Sequence, residues 1–144
     1  MRNLYQNVLL DPVVSSADDV GRAESGGSRT EPELIRSGLM LCKQITRKYG
    51  TSFFFATQFF PYEVRQGIYA IYAFARIPDE IVDDPENADP RDALNRLHEW
   101  RNLWLKAART GETSDPILAA ILFVFEKYGI PVEEGEAFLK SMFM

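Results

Sequence analysis

From residue 30 onward, almost every break in the chain is a capping residue beside proline, or a glycine. Between the breaks, apolar residues recur at spacings of three and four. That period belongs to the α-helix, and no stretch alternates with period two, so an all-α fold is expected. Thr30 and Glu33 have capping-box spacing, with Pro32 in the first turn, where a missing N–H costs nothing. Leu34, Ile35, Leu39, Leu41, Cys42 and Ile45 then form an apolar face, and Gly50 closes the segment. A second helix is expected from Pro61, with Ile68, Ile71, Tyr72 and Ala75 on its apolar side. A third runs from Asp89-Pro90 through Leu94, Leu97, Trp100, Leu103 and Trp104 to near Gly111. A fourth opens at Asp115-Pro116 and ends at Gly129, and a fifth opens at Pro131. Phe53, Phe54, Phe55, Phe59 and Phe60 have strand propensity, but Ala56, Thr57 and Gln58 give them no alternating partner face. A short helix or turn that lends aromatics to a core or cavity is expected there.

Residues 1–30 are a different text. Ser15, Ser16, Asp18, Asp19, Ser25, Gly26, Gly27 and Ser28 cluster with few large apolar residues, so a disordered tail is expected ahead of one partial all-α domain at 31–144. The chain has 144 residues, 46% hydrophobic and 12% aromatic, which suits one domain with a core of large side chains. A net charge of -5 argues against a nucleic-acid partner, which would need clustered Lys and Arg. Cys42 is the lone cysteine, lies in an apolar-periodic stretch and reads as a buried structural thiol in a reducing compartment. Val8-Leu9-Leu10 is stopped at once by Asp11, too short for an export signal. The nine apolar residues at 117–125 fall short of the ~18 of a membrane span and fit a buried helix. A cytoplasmic protein is expected, with peripheral membrane contact as one way to collect an apolar substrate.

The chemistry concentrates in residues 76–84. Asp79 and Asp83 differ by four, so on a helix their carboxylates lie on one face about one turn apart. Glu80 and Asp84 form a second pair of this kind. Crowded carboxylates repel, and acids at a helix C-terminus also oppose the macrodipole, so a cation is called for. Magnesium prefers a few carboxylates together with phosphate oxygens and water, which points to a metal-bridged diphosphate. A solitary D-x-x-x-D is usually a solvated helix face. Here the acids adjoin an apolar, aromatic helix, and Ile81 and Val82 tie them to the core. Pro78 removes the hydrogen bond to the Phe74 carbonyl and is expected to kink the helix beside the acids. Asp84, beyond the outer acid and beside Pro85, is expected to matter least. His98, between Leu97 and Trp100, reads as an ordinary helix residue.

Arg65-Gln66-Gly67-Ile68-Tyr69-Ala70-Ile71-Tyr72-Ala73-Phe74-Ala75-Arg76, followed by Asp79, Glu80 and Asp83, resembles the first aspartate-rich motif of the squalene/phytoene synthase family. Ser52-Phe53 is similar to that family's S-F element, and the ungapped likeness covers residues 49–84. Glu80 stands where the family usually has Asp, and Tyr49 and Thr51 where many members carry His and Lys or Arg. The resemblance implies the N-terminal half of an isoprenoid-synthase-type helical bundle. It also implies a magnesium-dependent prenyltransferase that joins two prenyl diphosphates head to head. On that basis Asp79, Glu80 and Asp83 are metal ligands, with Asp79, Asp83 and Tyr72 counted as catalytic. Ser52, Phe53, Arg65, Tyr69 and Arg76 bind substrate: Ser52 and Arg65 at the diphosphate, Arg76 in support of the same charge, and Phe53, Tyr69 and Tyr72 along the prenyl cavity.

Geranylgeranyl diphosphate condensed to phytoene, in carotenoid biosynthesis, is the first expectation. Squalene or dehydrosqualene from farnesyl diphosphate is the alternative, and squalene alone would require NADPH. The cofactor implied is magnesium, about two or three ions with the substrate diphosphate. The partners implied are prenyl diphosphates, with a monomer as the complete state. Family members run roughly twice as long and carry a second aspartate-rich motif, which has no counterpart after Asp92. The chain is therefore expected to be a fragment, inactive alone. A non-catalytic assembly protein on the same fold is the rival from another class; loss of the acids would mark it, and they are present.

Overall fold

A computed structural model describes residues 32–143. The expected tail at 1–30 and the Thr30–Glu33 capping box lie outside the described residues. Six helices follow in order: α1 (Pro32–Tyr49), α2 (Thr51–Thr57), α3 (Tyr62–Asp83), α4 (Pro90–Thr110), α5 (Pro116–Lys127) and α6 (Val132–Ser141). No strand occurs among the described residues, so the all-α expectation holds.

The boundaries follow from local chemistry. Asp89 caps α4 by accepting from the Arg91 N–H at 2.6 Å, while the Asp92 carboxylate accepts from the N–H of Asp89 at 3.4 Å, completing a capping box, and from that of Ala88 at 2.8 Å. Asp115 caps α5 by accepting from the N–H groups of Ile117 and Leu118, at 2.9 and 3.2 Å. Gly111 closes α4 at φ 73, a left-handed conformation that glycine reaches without a Cβ penalty.

α3 packs against α1, α4 and α5, and α5 is the most buried element. Ile117, Leu118, Ala119, Ala120, Ile121, Leu122, Val124 and Phe125 of α5 are all buried, so its apolar residues run around the whole helix, as a core helix requires. At the α1–α5 crossing, Gly38 permits a very close approach: a Cβ there would lie 1.7 Å from the Pro116 carbonyl oxygen. Phe74 of α3 is the aromatic hub, with ring centroids 5.1 to 5.7 Å from those of Trp100, Trp104, Phe125 and Phe138. Cys42 is wholly buried and unbonded to another sulfur, and burial, with Asp115 nearby, holds its thiol far above the ordinary range. It is a structural thiol, as its apolar setting predicts.

The phenylalanine-rich stretch is the short helix α2, but its rings split. Phe54 packs against the core, while Phe55, Phe59 and Phe60 are exposed, Phe59 to 85%. The stretch is thus a short helix and turn that lends Phe54 to the core, as expected, and leaves those three rings outside it. Pro78 does not end α3, which continues as one helix to Asp83 with Pro78 itself buried. No described helix is long and apolar enough to cross a membrane.

Candidate active site

Six of the residues singled out by sequence lie at 65, 69, 72, 76, 79 and 83, intervals of four and three that place them on one stripe of α3. From Arg65 to Asp83 the stripe spans about 27 Å of helix, at 1.5 Å per residue. Its two ends differ in cover.

The first two thirds lie under α2 and the end of α1. Phe54 stacks on Tyr69 and Phe53 on Tyr72, with centroid separations of 5.7 and 5.5 Å. Gln58, just past α2, reaches both Tyr69 and Arg65: its Nε2 donates to the Tyr69 hydroxyl at 3.0 Å, and its Oε1 accepts from Arg65 Nη1 at 2.9 Å. Tyr69 is thereby held in the core, 1% exposed. Arg76 donates from Nη2 to Glu80 at 2.7 Å, and its guanidinium lies 4.7 Å from the centre of the Tyr49 ring. Gly50 leaves room for Tyr72, whose hydroxyl would be 2.9 Å from a Cβ at that position. Burial raises the Tyr72 phenol above its ordinary pKa; Glu80 and Asp79 push the same way and Arg76 opposes them. Tyr72 therefore stays a neutral phenol in a half-covered, charged corner. Ser52 is exposed at the start of α2, next to Phe53.

Asp79 and Asp83 occupy the uncovered end. Both are exposed, and among the described residues neither is ion-paired. Glu80 is not free in the same sense, because Arg76 holds it. Among the described residues no group of three His, Cys, Asp or Glu side chains gathers closely enough to hold a cation alone. Two open carboxylates one turn apart still fit magnesium, which is commonly held by one or two carboxylates with phosphate oxygens and water filling the rest.

Asp84 does not form the second helical pair with Glu80 that its spacing implies, because it lies beyond the end of α3. Its side chain has no exposed surface and accepts from Arg96 Nη1 at 2.7 Å, while its other oxygen accepts from the Glu86 N–H at 2.9 Å. Arg96 also donates to Asn87 Oδ1 at 3.1 Å, and Asn87 Nδ2 donates to the Ile81 carbonyl at 3.0 Å. The cation that the acidic helix end requires is supplied here by the protein. The reason is geometric: α3 stops at Asp83, and Asp84 takes an extended backbone that leaves the helical face. No sequence spacing flagged Arg96, Asn87 or Gln58, since each acts across a turn.

Comparisons with known proteins converge on one family. The family model described as squalene/phytoene synthase matches residues 46–144. The phytoene synthase of Arthrospira platensis is 31% identical over 93 residues, covering 65% of this chain and 29% of that protein. The 15-cis-phytoene synthase of Synechococcus elongatus is 33% identical over 92 residues, covering 64% and 29%. Phytoene synthase 3, chloroplastic, of Zea mays is 31% identical over 121 residues, covering 81% and 28%. The match thus spans less than a third of each of these relatives. No solved structure matches the chain.

Proposed function

The chain belongs to the squalene/phytoene synthase family, and from that premise we propose that it serves the head-to-head condensation of two prenyl diphosphates, geranylgeranyl diphosphate to phytoene. The observation that carries the proposal is the α3 stripe, in which an aromatic, arginine-bearing stretch under α2 leads to two open carboxylates. The names of the similar proteins favour phytoene over squalene, for which NADPH would be needed as reductant.

In that reaction the C–O bond of one substrate breaks and its electron pair leaves on the diphosphate oxygen. The double bond of the second substrate attacks the allylic cation, and loss of a proton closes a cyclopropane; the second diphosphate then leaves, the carbon skeleton rearranges, and loss of a second proton gives the hydrocarbon. Asp79 and Asp83 would hold magnesium, which supplies electrostatic stabilisation of the leaving diphosphate. Arg65, about 21 Å along α3 from Asp79, and Ser52 bind oxygens of the second substrate's diphosphate. Tyr72, kept neutral, donates a hydrogen bond without releasing its proton, and its ring and that of Phe53 present π-faces to a cation. Arg76, fixed between Glu80 and Tyr49, supports the same corner.

Binding is the suitable test, because the match spans 29% of the Arthrospira relative. A geranylgeranyl thiolodiphosphate, whose sulfur blocks ionisation, is expected to raise the melting temperature of the chain only with magnesium, and more than inorganic diphosphate does. Stabilisation that ignores magnesium, or none at all, contradicts the proposal.

A further inference from the structure

Among the described residues, four helix arginines make side-chain contacts of two kinds. Arg76, Arg96 and Arg101 each meet a carboxylate, those of Glu80, Asp84 and Glu136. Arg65 meets none: among the described residues its hydrogen-bond acceptor is the neutral Gln58 amide, and the Tyr62 ring lies 5.6 Å from the guanidinium carbon. Its Nε is shielded from solvent and among the described residues has no hydrogen-bond partner. The Gln58 amide is itself held from two sides. Its Nε2 donates to the Phe54 carbonyl at 3.2 Å and to the Tyr69 hydroxyl at 3.0 Å, so its oxygen is left facing Arg65. The reverse orientation would set its NH2 against a guanidinium that can only donate, and its oxygen against a carbonyl that can only accept.

We propose that Gln58 is a positioning residue for Arg65: a neutral latch that aims the guanidinium without neutralising it, leaving its charge for an anion. A carboxylate at this place would hold Arg65 at least as firmly and cancel that charge. The inference rests on the reading of Arg65 as a diphosphate ligand and adds to it the residue that prepares the ligand. Nothing in the spacing of the motif marks Gln58, because it reaches α3 from the far side of the α2–α3 turn.

The test is calorimetric titration of inorganic diphosphate with magnesium into the 144-residue chain, paired with thermal melts. Arg65→Ala is expected to weaken binding about tenfold or more, the scale of a hydrogen-bonded charge. Gln58→Ala is expected to weaken it about fivefold, as for one neutral hydrogen bond. The double variant should bind no worse than Arg65→Ala alone, since the latch has nothing left to aim. Gln58→Glu should bind as poorly as Arg65→Ala yet melt no lower than the unaltered chain, a split that a merely structural glutamine would not give. Full multiplication of the two single effects, or undiminished binding by Gln58→Glu, overturns the latch. A second readout needs no ligand: NMR of the Arg65 side chain should show slow guanidinium rotation that Gln58→Ala sets free, and equal rotation in both overturns it too. If Arg65→Ala binds as well as the unaltered chain, or the unaltered chain binds no diphosphate, the diphosphate reading of Arg65 fails and the proposal falls with it. Slow rotation in that case would locate the fault in the ligand and not in the contact.

Discussion

Asp83 and Asp84 are consecutive aspartates with opposite surroundings. Asp83, like Asp79 one turn earlier, is exposed and among the described residues has no ion-pair partner. Asp84 has no exposed side-chain surface and is bound to Arg96 and the Glu86 N–H. One residue is enough because the helix ends between them: Asp83 keeps the angular position of the α3 stripe, and Asp84 turns inward on extended backbone. A carboxylate left open beside another is costly in the apo state and useful to a cation, whereas a carboxylate closed on an arginine is a fastening. An acidic run therefore divides by backbone conformation before it divides by chemistry.

The largest effect expected from breaking this contrast is on stability, at Asp84. Asp84→Ala leaves the Arg96 guanidinium, only 14% exposed, without its carboxylate. Removing one partner of such a pair should cost about 3 kcal/mol in chemical denaturation. Arg96→Met added to it should restore part of the loss, because the stranded charge is then gone. A cost near zero would place Asp84 with the open acids.

Next comes a buried ionisable group with no partner of opposite charge, Cys42. The unfolded chain gives up a thiol proton at its ordinary pKa while the native chain keeps it, so the unfolded state binds fewer protons at alkaline pH. The contribution is intact below the ordinary thiol pKa of about 8.5 and is lost above it, at up to about 1.4 kcal/mol per pH unit. Denaturation of the chain and of Cys42→Ala from pH 7 to pH 10 checks the sign: the variant should lose less with rising pH.

Glu80 should lie between the two aspartate classes, since it is paired but partly solvated. Glu80→Gln removes an i,i+4 ion pair with Arg76 and should cost about 0.3–0.5 kcal/mol, a small fraction of the Asp84 effect. Thermal melts at low and high salt check it, because screening should shrink the difference.

Much of the fold was legible because each helix boundary is written in local chemistry. Asp89-Pro90, Asp115-Pro116, Gly50, Gly111 and Gly129 act on their own neighbours, and the helices stop or start beside them. The open pair Asp79 and Asp83 was legible for the same reason, since helical spacing alone sets them on one face. What escaped is what acts across a turn. Asp84 finds Arg96 from 12 residues away, and Gln58 finds Tyr69 from 11 and Arg65 from 7, contacts with no period to announce them. The exposure of Phe55 escaped too, because a seven-residue helix buries one face and its sequence does not show which; Phe59 and Phe60 lie in the turn beyond it.

The most direct measurement compares the three aspartates side by side. Asp79→Asn, Asp83→Asn and Asp84→Asn are each titrated with magnesium in the presence of inorganic diphosphate, and each is melted without metal. Asp79→Asn and Asp83→Asn should lose magnesium-dependent diphosphate binding by at least about tenfold while melting at or slightly above the unaltered chain, since a like-charge pair is relieved. Asp84→Asn should melt well below it and, where still folded, bind with unchanged affinity. Equal effects at all three positions, or binding lost at Asp84 and kept at Asp79 and Asp83, would contradict the division of the acidic run into a metal site and a fastening.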